Sequence, residues 1–483
     1  MTSTVPARFL GGPRGRADRS ARRQGLALAI LLTANFTVTA DFSILNVALP
    51  SIGAEVGFSL GGLQWVATSF SLCSAGFILL FGRIADLFGR RRVFLLGIAA
   101  LGASSLAGGL AAAPWILIVA RVVQGLATAA VTPAALSLLT TSFPEGPLRE
   151  RALGLNGALM AGGFTTGAVA GGLLTDLLSW RWAFFVNVII AAAVLAGGPA
   201  VLPESRPRRR PRMDVPGALT VTLALLALIY GLTQAGERSW TDPHAYAALA
   251  LGATLLALFA VIEKRADEPL IPTRILRLPA VRWGNIAGLL AFATITSVVY
   301  LQTLYAQDVL GHSPLWTGCS FTAMGGGSIL GGALGPKIIA RIGTRTALTL
   351  GLILQGVTTL PLAFLGFDGA WTAVLLAATF LAGVANLVAI VAFMVTTTSG
   401  LSDQDQGIAT GLATMSQQIG FTVGIPVMSA ITTARLHVLG TSTPYTLLHS
   451  LTLALAVNAL ICLASAPLLH RVLSASTPRP VTS

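Results

Sequence analysis

Long apolar runs separated by short polar breaks fill the chain from Gly25 almost to its end. Fourteen of them reach spanning length: residues 25–49, 61–81, 93–112, 115–140, 151–175, 181–202, 215–235, 245–262, 283–306, 315–338, 346–366, 371–395, 407–433 and 449–469. A membrane-crossing helix needs about 20 predominantly apolar residues. The pattern therefore predicts an all-α membrane protein with 14 transmembrane helices. The breaks group these runs. The most hydrophilic internal break, PESRPRRRP at 203–211, closes a first set of six. A second Pro- and charge-rich break, 263–279, precedes a last set of six. The expected organisation is a basic tail (1–24), a six-helix bundle (25–202), linkers with two extra helices (203–282), a second six-helix bundle (283–469) and a tail (470–483). Such blocks are often related repeats in transporters.

Composition supports the pattern. Of 483 residues 54% are hydrophobic and 10% charged, against roughly 25% charged in a soluble domain. The net charge of +13 would point to nucleic acid in a soluble chain. Here 27 of the 31 basic residues fall on one side of the expected topology, three (Arg181, Arg238, Arg435) on the other, and Arg121 inside a helix. That asymmetry places both termini in the cytoplasm and removes the argument for a nucleic-acid partner. Cys73, Cys319 and Cys462 are scattered through apolar runs, which is neither a disulfide framework nor a metal site. The Arg-rich start before a hydrophobic run resembles a signal peptide, but the run is too long and lacks a small-residue cleavage site. It reads as a retained first helix.

Within that first helix stands Asp41. A carboxylate near the middle of a span costs at least ~2.5–3.5 kcal/mol and is by default a functional-site hypothesis. The alternative is a structural hydrogen-bond partner for a neighbouring helix. Arg121 is the second charge inside a span. It lies seven residues beyond Pro114, roughly 10 Å deep, and Asp41 lies nine residues before Pro50, roughly 13 Å deep. The depths allow a pair. Low dielectric disfavours the ionised carboxylate and a guanidinium favours it, so a balanced site can exchange a proton as the protein changes shape. A permanent ion pair pinning the two helices is the competing role. Other polar or amphipathic residues within or at the ends of spans are Asn46, Gln64, Trp65, Gln124, Tyr300, Gln302, Tyr305, Asn386, Gln417 and Gln418. Some of these are expected to line a central cavity, since polar groups avoid lipid. For Trp65, Tyr300 and Tyr305 the competing role is an interface anchor, the commoner one for aromatics at that level.

The break after the second run reads Gly82-Arg-Ile-Ala-Asp86-Leu-Phe-Gly89-Arg90-Arg91-Arg92, and the corresponding one after the tenth reads Gly335-Pro-Lys-Ile-Ile-Ala-Arg341-Ile-Gly343-Thr-Arg345. In each a second glycine is followed two residues later by an arginine, Arg91 or Arg345. The recurrence supports an internal repeat, and such a loop can latch one conformational state. Gly163, Gly167 and Gly171 share one helix face, as do Gly327, Gly331 and Gly335. Small faces let membrane helices approach closely, and these two are expected to meet at the seam between the blocks.

The loop GRIADLFGRRR resembles the signature loop of the major facilitator superfamily. Leu45-Asn46-Val47-Ala48-Leu49-Pro50 with Asp41 upstream is similar to the helix 1 motif of its fourteen-helix drug:proton antiporter branch. LIVARVVQGLATA at 117–129 resembles the helix 4 motif, with Arg121, Gln124 and Gly125 in place. Gly154, Gly163, Gly167, Ala168 and Gly171-Gly172 resemble the helix 5 motif, whose Gly-Pro is here Gly167-Ala168. Trp180 to Asn187 also resembles this branch, with Ile189 where a proline is usual. The resemblance implies the major facilitator fold as 6 + 2 + 6 helices in a bacterial inner membrane. It also implies a monomer that exports small amphipathic compounds in exchange for protons, with Asp41 and Arg121 as the coupling pair and loop 82–92 as the gate. A transporter of one metabolite, in either direction, shares the fold. A receptor or lipid-handling protein is the reading from another class. No Walker loop, metal cluster or nucleophile–base constellation stands in the sequence. No enzyme activity, ATP, metal or other cofactor is expected; the proton gradient and the bilayer are the partners besides the substrate.

Overall fold

Every regular element among the described residues is helical. The computed structural model describes residues 13–58, 60–143, 147–204, 215–237, 242–266, 273–398, 401, 403–440 and 443–474. The expected basic tail before residue 13, the linker 205–214 and the tail beyond 474 lie outside them. In chain order the helices are α1 (Pro13–Val56), α2 (Leu60–Phe88), α3 (Arg90–Gly109), α4 (Pro114–Ser142), α5 (Pro147–Leu177) and α6 (Trp182–Val201). Next come α7 (Val215–Glu237), α8 (Pro243–Arg265), the short α9 (Thr273–Leu276) and α10 (Pro279–Leu304), which runs into a π turn at Tyr305–Val309. The last are α11 (Pro314–Ser320), α12 (Thr322–Ile342), α13 (Thr344–Thr359), α14 (Ala370–Thr398), α15 (Asp403–Leu439) and α16 (Pro444–Ser474). Among the described residues eleven helices are long and apolar enough to cross a membrane. The glycine-containing helices α2, α5 and α12 are not among these eleven.

The packing repeats. In the first set α1 packs on α4, α5 and α6, α2 on α4, and α3 on α4 and α6. In the second set α10 packs on α14, α15 and α16, α12 on α14, and α13 on α14 and α16. Replacing α1 by α10, α2 by α12 and so on turns one pattern into the other. The two glycines that end the repeated loops explain part of this. Gly89 (φ 103°) and Gly343 (φ 79°) separate α2 from α3 and α12 from α13, in a conformation open to glycine and strained for other residues. The following arginines then play equivalent parts. Arg91 donates to the Pro199 carbonyl near the end of α6, and Arg345 donates to the Leu473 carbonyl near the end of α16, at 3.3 Å.

The glycine faces pack differently from the expectation. Gly163, Gly167 and Gly171 lie on α1, where a Cβ at Gly167 or Gly171 would come within 2.6 Å of the Ala40 carbonyl oxygen or 2.5 Å of that of Ile44. Gly327 and Gly331 lie on α14 against Phe380 and Val384, and Gly335 faces Val391. Each row therefore closes a contact inside its own block. The seam uses the neighbouring face: Ala168 and Gly172 of α5 meet Pro314, Leu315 and Gly318 of α11, and Thr165 meets Gly325 of α12. One residue along a helix turns the face by about 100°, so adjacent Gly171 and Gly172 serve different partners.

The buried apolar clusters show how the two sets relate. Where α1 ends and α2 begins, a large cluster takes side chains from both sets, from Leu45, Leu49, Leu63 and Phe70 to Tyr300, Tyr305, Met428 and Leu451, and a smaller one joins Val47 and Ala168 to Val299 and Phe321. At the other end, which carries Gly89 and Gly343, the core is split. Leu31, Phe94, Leu138 and Val194 form one cluster; Leu348, Phe393, Ala413 and Leu469 form another. Among the described residues the two sets thus share a core at one end and keep separate cores at the other. The α7–α8 hairpin flanks the bundle, with α7 against both α2 and α15. Thr222 of α7 donates to the Gly76 carbonyl at 2.6 Å, whereas Val221 and Leu225 meet Leu412 and Met415 of α15 through apolar contact.

Candidate functional site

Gly125 of α4 packs against the backbone of α2 at Phe70, with no room for a Cβ. One turn earlier the same close approach carries Arg121 onto α2. Its Nε donates to the Val66 carbonyl at 2.9 Å, and its guanidinium lies 4.1 Å above the centre of the Phe70 ring, a favourable cation–π placement. From the other side α5 holds α1 at Ala40 and Ile44, the turn that bears Asp41. Arg121 donates to Asp41 Oδ2 at 2.7 Å, and both side chains are 1% exposed. Arg121 also donates to Gln124 Oε1 at 2.8 Å, and Gln124 donates to Ser105 Oγ at 2.7 Å. Asn187 of α6 donates to the second Asp41 oxygen. The result is a buried polar network, Asn187–Asp41–Arg121–Gln124–Ser105, drawn from four helices and resting on the Val66 carbonyl of α2.

Burial of two charges is tolerable only when both are hydrogen-bonded. Here each Asp41 oxygen has a donor. Arg121 keeps a carbonyl, an amide oxygen and a ring face in addition to the carboxylate. Protonating Asp41 would therefore remove its charge without stranding the guanidinium. The sequence motif at 180–187 contains Asn187, yet the reading above gave it no role, and it missed Ser105. Both are small polar residues in apolar helices, and only the three-dimensional neighbourhood sets them apart from others of their kind.

The second block carries an uncharged counterpart. Gln355 of α13 donates to Thr294 Oγ1 of α10 at 2.7 Å, Asn458 of α16 donates to the Thr294 carbonyl at 3.1 Å, and Asn386 of α14 donates to Gln355 Oε1 at 3.3 Å. The helices correspond to those of the charged network through the repeat, and the charge sits on one side alone.

The expected cavity residues divide. Gln302 donates to Thr379 at 3.0 Å and Tyr305 to the Gly366 carbonyl at 2.6 Å. Asn386 donates to Gln355 in the same block, and Tyr300 is buried with Tyr305 in the core that both blocks share. Their polar atoms are satisfied by neighbours in the same bundle, which removes the reason for expecting them to face water. Asn46 donates to the Phe42 carbonyl at 3.0 Å, with its Oδ1 unpartnered. Gln64 is fully buried with both amide atoms unpartnered. Trp65 is half-buried, its ring 6.1 Å from that of Tyr230 on α7. Gln417 is half-buried. Gln418 bridges the blocks, donating to Ser74 of α2 at 3.0 Å. Thr422 reaches the Ser71 carbonyl at 2.9 Å and Gln307 the Val47 carbonyl at 2.9 Å, two further bridges absent from the expectation.

In the gate loops, Gly82 faces Pro133 of α4, the Asp86 side chain lies outside the described residues, Arg90 is half-buried and Arg341 is exposed. Arg91 and Arg345 bind within their own blocks, as described above. Arg92 lies 3.8 Å from Glu204, again in the first block.

Residues 31–425 match the family model described as Major Facilitator Superfamily. The chain belongs to the Major Facilitator Superfamily. It is therefore a multi-pass membrane transporter of small molecules and not an enzyme. Among its relatives in this superfamily is the cephamycin export protein CmcT of Amycolatopsis lactamdurans, 38% identical over 84% of each chain. Another is the puromycin resistance protein pur8 of Streptomyces alboniger, 35% identical over 85% of this chain and 82% of that one. The superfamily fold is seen in the crystal structure of the POT family transporter PepTSo, with TM-score 0.70, 13% identity, and coverage of 93% of this chain and 98% of that one.

Proposed function

We propose that this chain is a proton-coupled exporter of antibiotic-like amphipathic compounds in the bacterial inner membrane. The reading includes 14 spans as 6 + 2 + 6, both termini cytoplasmic, and a functional monomer. The observation that carries it is the buried network around Asp41, in which Arg121 has hydrogen-bond acceptors besides the carboxylate. Export of drugs is supported by the relatives named for cephamycin export and puromycin resistance. In this reading the end where the core is split faces the cytoplasm, because it carries the basic loops, and the shared core seals the outside. Asp41 is ionised while substrate enters from the cytoplasm. After outward release it takes up a proton, which resets the carrier. Loop 82–92 holds the outward-facing state.

The test is efflux of a panel of lipophilic cations and antibiotics from cells expressing the chain, with and without a proton uncoupler, against Asp41→Asn. Uncoupler-sensitive efflux that the substitution abolishes is the expected result. Full efflux in Asp41→Asn would reduce the carboxylate to a structural role.

A further inference from the structure

Five phenylalanine rings form a row across the seam between the blocks. Phe70 of α2 stands 6.5 Å from Phe42 of α1, and Phe42 stands 5.6 Å from Phe421 of α15. Phe421 stands 4.9 Å from Phe292 of α10, and Phe292 stands 6.4 Å from Phe393 of α14. The Phe42–Phe421 step is the one that crosses from block to block. The row begins under the Arg121 guanidinium, which covers Phe70.

Four of these rings are buried, and Phe421 is half-buried. Phe421 packs against two clusters at once: the core shared by both blocks and the core of the second block alone. It therefore sits where the shared core gives out and the blocks part. Polar groups flank it on the same helix, with Gln418 one turn before it and Thr422 beside it, both bonded across the seam to α2.

An aromatic face beside a polar strip, at the boundary between a closed seal and a split, suits one kind of ligand. Ring pairs prefer tilted or offset contact at centroid separations of about 4.5–7 Å. The Phe42–Phe421 pair is tilted by 43°. When the blocks separate at this level, Phe42 keeps Phe70 and Phe421 keeps Phe292, but each loses the ring opposite, and a ring of the cargo can replace it. The geometry points to Phe421, with Phe42 opposite, as an aromatic subsite that holds a ring of the transported compound while the adjacent Gln418 holds a polar group. The inference rests on the export reading above and adds a preference for ring-bearing cargo.

The experiment uses two probes of equal charge, tetraphenylphosphonium with rings and tetrapentylammonium without. Binding to the purified full-length chain is measured for wild type, Phe421→Leu and Phe421→Tyr, each checked for thermal stability. Phe421→Leu is expected to weaken tetraphenylphosphonium by about threefold to tenfold. It is expected to change tetrapentylammonium by less than twofold, and Phe421→Tyr to restore the loss. Equal weakening of both probes, no change in either, or no wild-type binding of the ring-bearing probe would overturn the subsite. Cellular efflux of both probes separates the two readings. Ring-selective binding without any efflux supports the subsite and removes the export reading. Efflux that is indifferent to Phe421→Leu removes the subsite and leaves export standing.

Discussion

At the residue scale the Asp41–Arg121 pair behaves as a unit with its neighbours. Removing one member of a buried pair leaves an uncompensated charge and costs about 3–5 kcal/mol. Arg121→Gln should therefore lower the thermal stability of the purified protein sharply, because Asp41 keeps Asn187 alone. The double variant Asp41→Asn with Arg121→Gln should recover much of that stability. If the carboxylate carries the proton, the double variant still fails to couple efflux to the gradient; if the pair is a fixed clamp, efflux returns with stability. Asn187→Leu strips one acceptor oxygen of its donor and should cost about 1–3 kcal/mol, again read as a fall in thermal stability. Similar depth from two helix ends pointed to the contact between Asp41 and Arg121. The motif at 180–187 ends on Asn187 but gave it no partner, and nothing pointed to Ser105, because a hydrogen-bond partner on a third helix depends on rotation about the helix axis, which spacing alone leaves free.

At the scale of elements, glycine positions decide which helices touch. The i, i+4 spacing identified two small-residue faces, and the expectation that they meet each other was wrong. Spacing reports a face, and the partner depends on packing. The correction changes what a substitution should do. Gly167→Leu would push α5 off α1 inside the first block and should destabilise it by at least about 1–3 kcal/mol. Gly172→Leu projects across the seam toward Pro314 and Leu315. It should leave thermal stability closer to wild type while widening the distance between α5 and α11, measured by spin labels on the two helices. Equal losses of stability would place both glycines inside the block. Gly89→Ala and Gly343→Ala each force a residue with a Cβ into positive φ, a cost of order 1–3 kcal/mol. Matched losses of stability in the two variants would be the energetic signature of the repeat.

For the whole molecule, the order of apolar runs and the two hydrophilic breaks were enough to anticipate an all-helical membrane protein, and ordered motifs were enough to place its family. The engagement of Gln302, Tyr305 and Asn386 within the second block was not legible, since a polar residue in a span reads the same whether it faces a cavity or a neighbour. The division of the core into parts shared by both blocks and parts confined to one was equally hidden, as it depends on the angle between two blocks of nearly identical construction.

That angle has to change if the carrier works, and α7 touches both blocks while it does. Its two contacts differ in kind. Toward α2 it is fastened by the Thr222 hydroxyl on the Gly76 carbonyl. Toward α15 the contact described is apolar, with the side chains of Val221 and Leu225 against Leu412 and Met415. A directional bond resists displacement, whereas apolar surface costs little to slide as long as it stays covered. The hairpin is thus built to ride with the first half and glide over the second, like a bearing fixed to one of two moving parts.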